Sequence, residues 1–170
     1  AITRGGTNLV ISLAFLFAGC AGSGSGGPGA DLMKAGCYDE AVAVLETASA
    51  ARPRDANLQR NLGIARLKNG DAKGAVENLS AAQTLKGKDS TTLFFLGRAH
   101  ETLGANGAAA DAYTRYIALK PDDAEVRTRL RLVNLKRIRS EIEDAVKNES
   151  NRRADIPENT LAVMPFQNLT

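Results

Sequence analysis

Residues that ligate metals are scarce in this 170-residue chain, which has one histidine, His100, and two separated cysteines, Cys20 and Cys37. That supply cannot build a three- or four-ligand metal centre. Tryptophan is absent, and basic residues outnumber acidic ones by only three, 22 against 19. So slight an excess argues against nucleic acid, whose binding needs a concentrated basic surface. No phosphate-cradling glycine loop, nucleophile elbow or paired-acid motif is present. His100 lacks a surrounding carboxylate–nucleophile pattern and reads as a core or boundary residue, not a catalytic base. Neither an enzyme nor a cofactor is therefore expected in this stretch. The longest uncharged apolar run, Leu9–Ala18, falls short of the roughly 20 residues a membrane-spanning helix needs.

Repetition is what the chain does have. Gly36, Gly70 and Gly104 stand 34 residues apart. In the same phase recur Leu62 and Leu96; Gly63 and Gly97; Ala41, Ala75 and Ala109; Leu45, Leu79 and Tyr113; Pro53 and Pro121, with Gly87 between them. A period of this length suits a helix–turn–helix unit that must stack on copies of itself to bury its apolar face. Each recurring residue has a physical task. Gly70 and Gly104 follow apolar-periodic segments, where a left-handed residue can end a helix at little steric cost. Gly63 and Gly97 lie mid-helix, where glycine costs roughly 1 kcal/mol against alanine. They are expected to let a second helix approach near Ala75 and Ala109. The prolines stop that second helix.

These residues resemble the tetratricopeptide repeat: a Leu-Gly pair in helix A, a turn glycine, then alanine, a bulky residue and proline in helix B. The resemblance covers Gly22–Asp123, in units Gly22–Asp55, Ala56–Asp89 and Ser90–Asp123. It departs from the family pattern at Arg66 and His100, where helix A usually carries an aromatic, at Tyr116, where a small residue is usual, and at Gly87, where proline is usual. It implies an all-α fold, a right-handed α-α superhelix of about three helical hairpins with a long C-terminal capping helix.

The expected helices are Ala30–Ala35 and Asp39–Ala51 in a shortened first repeat, then Ala56–Asn69 and Asp71–Leu85, then Ser90–Leu103 and Asn106–Leu119. Asp71 is a good N-cap. Asp122–Asn148 reads as one further helix, because Arg131 and Ile138 replace the small residue and the turn glycine that would make another hairpin. It is expected to cover the third repeat and expose its other face. Its charges are segregated, with Arg127, Arg129, Arg131, Lys136, Arg137 and Arg139 preceding Glu141, Glu143 and Asp144. A solvated face explains that pattern; contact with anionic headgroups or an acidic partner is the alternative.

The two ends have another character. Arg4 precedes the apolar run, and Phe17-Ala18-Gly19-Cys20 follows it, the layout of a secretory signal. The tetrapeptide resembles the bacterial lipobox, whose cysteine is diacylated and becomes the new amino terminus; Phe17 stands where leucine is commoner. The alternative is a plain signal peptide with an incidental cysteine. If Cys20 is acylated, no disulfide is expected at Cys37, which reads as a small apolar residue in the first turn. Ala21–Pro28 is a Gly/Ser tether with a reach of about 15 Å. Because Ala21 is not Asp, resemblance to sorted lipoproteins implies the periplasmic face of the bacterial outer membrane. At the other end, Leu161-Ala-Val-Met-Pro-Phe-Gln-Asn-Leu169 resembles the opening strand and turn of the curli-secretion-channel and TolB-amino-terminal-like domains; a disordered tail is the alternative. The chain is expected to be a fragment of a longer protein. The domain reading is 1–20 signal segment, 21–28 linker, 29–149 repeat domain with capping helix, and 150–170 linker plus first strand of a further domain.

Function follows from the resemblance. In tetratricopeptide arrays the A helices line a groove that takes peptides. The matching positions here are Asn57, Arg60, Asn61, Ile64 and Lys68 in the second repeat, Thr91, Phe94, Arg98, Glu101 and Thr102 in the third, and Glu125, Arg129 and Leu132 in the cap. An aromatic ringed by guanidinium groups would suit an anchor-plus-charge mode, although Phe94 or Phe95 should pack in the core. The carboxylate clamp of chaperone-binding members is not implied, since its Lys and Asn positions fall on Gly26 and Ala30. The expectation is a lipid-anchored, periplasm-facing scaffold for a protein or peptide partner in secretion or envelope assembly, attached to the membrane through Cys20. A structural spacer for a following α/β domain is the second class, and a sensor or enzyme in that further domain is the third.

Overall fold

The computed structural model describes residues 27–154. The signal segment, Cys20, Gly26 and Leu161–Leu169 all lie outside that range. Among the described residues seven α-helices follow one another: α1 Pro28–Ala35, α2 Tyr38–Ala51, α3 Ala56–Lys68, α4 Ala72–Leu85, α5 Ser90–Thr102, α6 Asn106–Leu119 and α7 Ala124–Ala154. Each packs on its neighbours in sequence, so α1/α2, α3/α4 and α5/α6 form three stacked hairpins and α7 closes on α6.

Helix starts are set by aspartates with the same 34-residue period as the turn glycines. Asp55 accepts from the N–H groups of Asn57 (2.9 Å) and Leu58 (3.2 Å). Asp89 accepts from the N–H of Thr91 at 3.3 Å, and Asp123 from that of Val126 at 3.1 Å. These carboxylates satisfy donors that have no partner inside a helix. Asp71 does the same for the B helix α4, accepting from the N–H of Gly74 at 2.9 Å. The helix ends match the glycine argument: Gly70 and Gly104 have φ of 91° and 70°. A Cβ there would meet no atom within 4 Å. Backbone conformation, not space, is what glycine supplies at these two turns.

Three apolar clusters run along the stack, and each draws on adjoining repeats. Ala41 and Leu45 meet Leu62 and Ala65; Ala75 and Leu79 meet Leu96, Ala99 and Ala112; Leu93, Ala109, Tyr113 and Tyr116 meet Val126 and Val133. The core is therefore a line of neighbour contacts, as expected for stacked units. Gly63 and Gly97 are buried where expected, with one refinement. A Cβ on Gly63 would come within 2.6 Å of Leu79 Cγ and 3.2 Å of the Ala75 carbonyl. On Gly97 the neighbour is the ring of Tyr113, at 2.5–2.9 Å, and not Ala109. Tyr116 is buried, and its hydroxyl donates to Asp123 Oδ2 at 2.7 Å, tying α6 to the start of α7. That bond, with burial and the Asp123 charge, pushes the phenol up to about 12.

Several expectations need correction. α1 begins at Pro28 instead of Ala30, because proline is tolerated at the first helical position and its fixed φ suits it. α7 continues to Ala154, past residue 149, since neither glycine nor proline interrupts it before Pro157. Its segregated charges, half-buried Arg129 apart, lie on an exposed surface, as a solvated face requires, but that surface is not purely polar: Leu132, Leu135, Ile138, Ile142 and Val146 are exposed as well. Cys37 is half-buried but disulfide-bonded, contrary to the expectation, and its bonding partner lies outside the described residues. Among the described residues no helix is long and apolar enough to cross a membrane, and no His, Cys, Asp and Glu side chains are grouped to hold a metal ion.

Candidate partner-binding groove

The A helices α3, α5 and α7 are linked side to side by ion pairs. Arg60 of α3 donates from Nη1 to Asp89 Oδ2 at 3.0 Å, across the repeat boundary. Arg60 also reaches Asn61 Oδ1 at 3.4 Å through Nε. Burial on its own would raise the Asp89 carboxyl. Hydrogen bonds from Thr92 and Arg60, the Arg60 charge and the Thr91 N–H outweigh it, and the group is held below the ordinary carboxylate range. Asp89 thus caps α5 and fixes Arg60 with the same side chain.

The second link joins α5 to α7. Glu101 accepts from the Tyr113 hydroxyl at 3.0 Å and pairs with Arg129 at 3.6 Å and Lys136 at 3.5 Å. Arg129 also pairs with Glu125 at 3.1 Å, four residues earlier on α7. Burial and the Glu101 carboxylate together push the Tyr113 phenol up. One carboxylate here serves three donors from two elements.

Phe94, a groove position at which packing in the core was the alternative, is half-buried. It packs against the cluster of Leu93, Tyr113, Tyr116 and Val126. Its ring meets Phe95 edge-on at 5.2 Å and lies 6.0 Å from Tyr116. Phe95 packs into the neighbouring cluster, so both phenylalanines are core-associated. Ile64 is likewise half-buried against the second cluster. The remaining positions are more accessible. Asn57, Lys68, Thr91, Thr102, Glu125 and Leu132 are exposed, and Asn61, Arg98, Glu101 and Arg129 half-buried. Arg98 makes no ion pair among the described residues, unlike Arg60 and Arg129. His100, in the last turn of α5, is half-buried, and burial lowers its pKa.

The family model of the tetratricopeptide repeat matches residues 29–90 and 65–124, together more than half of the chain. The chain belongs to the tetratricopeptide repeat family. No curated protein matches it. Solved structures with the same fold include MamA, 26% identical with a TM-score of 0.60, the match covering 63% of each chain. The second repeat domain of human RPAP3, solved with the HSP70 peptide SGPTIEEVD, is 25% identical with a TM-score of 0.59, covering 62% of this chain and 88% of that one. PcrH, solved with the chaperone binding region of PopD, is 20% identical with a TM-score of 0.60, covering 64% and 87%. At that identity PcrH shows the fold alone.

Within this tetratricopeptide repeat domain, the groove positions read from the family pattern missed Asp89 and Lys136. The first carried a signal, because Asp55, Asp89 and Asp123 share the 34-residue period. The second carried none. Lys136 reaches Glu101 across two helices, 35 residues apart in sequence, a pairing that depends on how α7 lies against the third repeat.

Proposed function

We propose that this chain is a protein-binding scaffold, not an enzyme, whose A-helix row receives an acidic segment of a partner protein. The observation that carries the reading is Arg98. Its guanidinium sits on α5 with no internal ion pair among the described residues, between the bound Asp89 and the bound Glu101 in sequence. A half-exposed guanidinium on a rigid helix surface is a ready anchor for a carboxylate. RPAP3 and PcrH, which share the fold, are solved with peptide segments bound. A photo-crosslinking residue placed at exposed Thr102, one turn from Arg98 on α5, is expected to trap a partner in envelope extract. One placed at exposed Lys86 or Lys88, in the α4–α5 connection, is not. Changing Arg98 to Glu should lower capture at least about tenfold with unchanged helical circular dichroism. Crosslinks confined to Lys86 and Lys88, or capture insensitive to Arg98, would defeat the groove reading.

One observation favours the spacer instead. Arg60 and Arg129 are engaged in internal pairs and half-buried Phe94 packs against the core, so part of the expected binding chemistry is used within the fold. A spacer would position a following α/β domain, the role that the resemblance at Leu161–Leu169 supports.

Membrane attachment through Cys20, at the periplasmic face of a bacterial outer membrane and in the service of secretion or envelope assembly, is part of the same proposal. It rests on Phe17-Ala-Gly-Cys20 and on Ala21. Two or more acyl chains would give the stable anchoring that one does not. In a Gram-negative host the chain is expected to incorporate labelled palmitate, and Cys20→Ser to abolish it. Cys20 is the only other cysteine of the chain, and its sulfur cannot hold a lipid and a disulfide at once, so this proposal requires that the disulfide found at Cys37 does not use Cys20 in the lipidated form. An intact mass showing a Cys20–Cys37 disulfide and no lipid would end the claim.

A further inference from the structure

We propose that the C-terminal half of α7 pairs antiparallel with the same segment of a second copy of the chain. The stripe on that half is unlike scattered surface apolar residues. Leu135, Ile138, Ile142 and Val146 are 63%, 46%, 58% and 61% exposed. At 3.6 residues per turn they fall within an arc of about 80°. Val126, Leu130 and Val133, which pack α7 onto α6, lie on the opposite side. Helix α7 therefore carries two apolar faces and covers only one of them. Spacings of three and four residues along the second face are those of a helix that seats against another helix.

The charges decide what covers it. Lys136, Arg137 and Arg139 precede Ser140, and Glu141, Glu143 and Asp144 follow it. In an antiparallel pair with its two-fold axis near residue 140, Ile138 meets Ile142 of the second copy, and Leu135 meets its Ala145. The basic half of each helix then lies level with the acidic half of the other. Glu143 comes level with position 137 of the second copy, between Lys136 and Arg139, which border the same edge of the stripe. A parallel pair would set like charges level with one another, which is unfavourable. An isologous, self-complementary contact is the geometry a two-fold dimer requires. Arg139, Glu143 and Asp144 make no ion pair among the described residues, so their charges are available. The chain's own residues 155–170 are a poorer occupant. They contain Pro157 and Pro165, and they carry Asp155 and Glu158 but no basic residue to meet the acidic half.

The test is sedimentation equilibrium of the full 170-residue chain in detergent solution. A reversible dimer is expected. Ile138→Ser with Ile142→Ser should raise its dissociation constant at least about tenfold while circular dichroism holds. Lys136→Glu with Arg139→Glu should weaken the dimer, as should Glu143→Arg alone. All three together should return the constant to within about threefold of the parent. A parent that stays monomeric at about 100 µM would overturn the proposal, as would a dimer indifferent to the serine changes. Failure of the triple charge exchange to restore association would overturn the antiparallel register. A monomeric parent that dimerises once residues 155–170 are removed would show the chain's own segment as the occupant and overturn the second copy.

Discussion

Tyr113→Ala is expected to lower the unfolding free energy by about 3–5 kcal/mol, the range for removing a large buried ring. Tyr113 is fully buried, among Leu93, Ala109 and Val126. It also fills the space left open by Gly97, so its loss opens a void between α5 and α6 and removes the hydroxyl that Glu101 accepts. Tyr113→Phe separates these terms. It keeps the ring and loses one hydrogen bond to a charged acceptor, for which about 1.5–3 kcal/mol is the usual upper scale. Urea denaturation of both variants, with the slope unchanged, measures the difference. If Tyr113→Ala unfolds at the parental midpoint, the ring does not hold the third repeat together. A domain with ordinary stability of about 5–15 kcal/mol would be left marginal by the alanine.

Gly97→Leu should cost about 1–3 kcal/mol or more, by overpacking. Even the first added carbon would lie 2.5–2.9 Å from three atoms of the Tyr113 ring. That ring is enclosed and cannot swing into solvent, so α5 and α6 must separate. The coupled change provides the sharper measurement. Gly97→Leu in the Tyr113→Ala background should cost at least about 1 kcal/mol less than in the parent, because the clash has gone and the void can be filled. Additive costs in that cycle would mean that the two residues do not face each other, and the repeat register would need to change.

The repeat frame was legible because it rests on local chemistry. A glycine at positive φ ends α3 and α5, proline stops α2 and α6, and every helix end falls within two residues of expectation except the end of α7, six residues past Asn148. The mid-helix glycines were legible as close approaches, though the partner of Gly97 proved to be an aromatic ring one turn beyond the expected alanine. Groove chemistry was far less readable. Arg60 and Arg129 match family positions, but whether a guanidinium faces a ligand or a neighbouring helix depends on where Asp89 and Glu101 come to lie, and no single segment encodes that. Phe94 shows the same limit: its position marks a helix face, while the packing of Tyr116 and Val126 around it decides its burial. The second apolar face of α7 lies within the expected helix, since Leu135, Ile138, Ile142 and Val146 fall inside Asp122–Asn148 at spacings of three and four residues, but its exposure depends on how Val126 and Val133 seat α7 on α6.

The short first helix has a mechanical consequence. α1 is eight residues long, opens on Pro28-Gly29 and, among the described residues, packs chiefly on α2, with a smaller contact to α3. Stability in such a stack is a chain of neighbour terms, and the end unit has only one neighbouring repeat. A pull applied through residue 27 would load α1 before any other element. The array would then yield stepwise from that end, each hairpin peeling off while the next stays closed. Under tension this domain would act as a fuse, lengthening in small increments and keeping the α5–α6–α7 end folded until last.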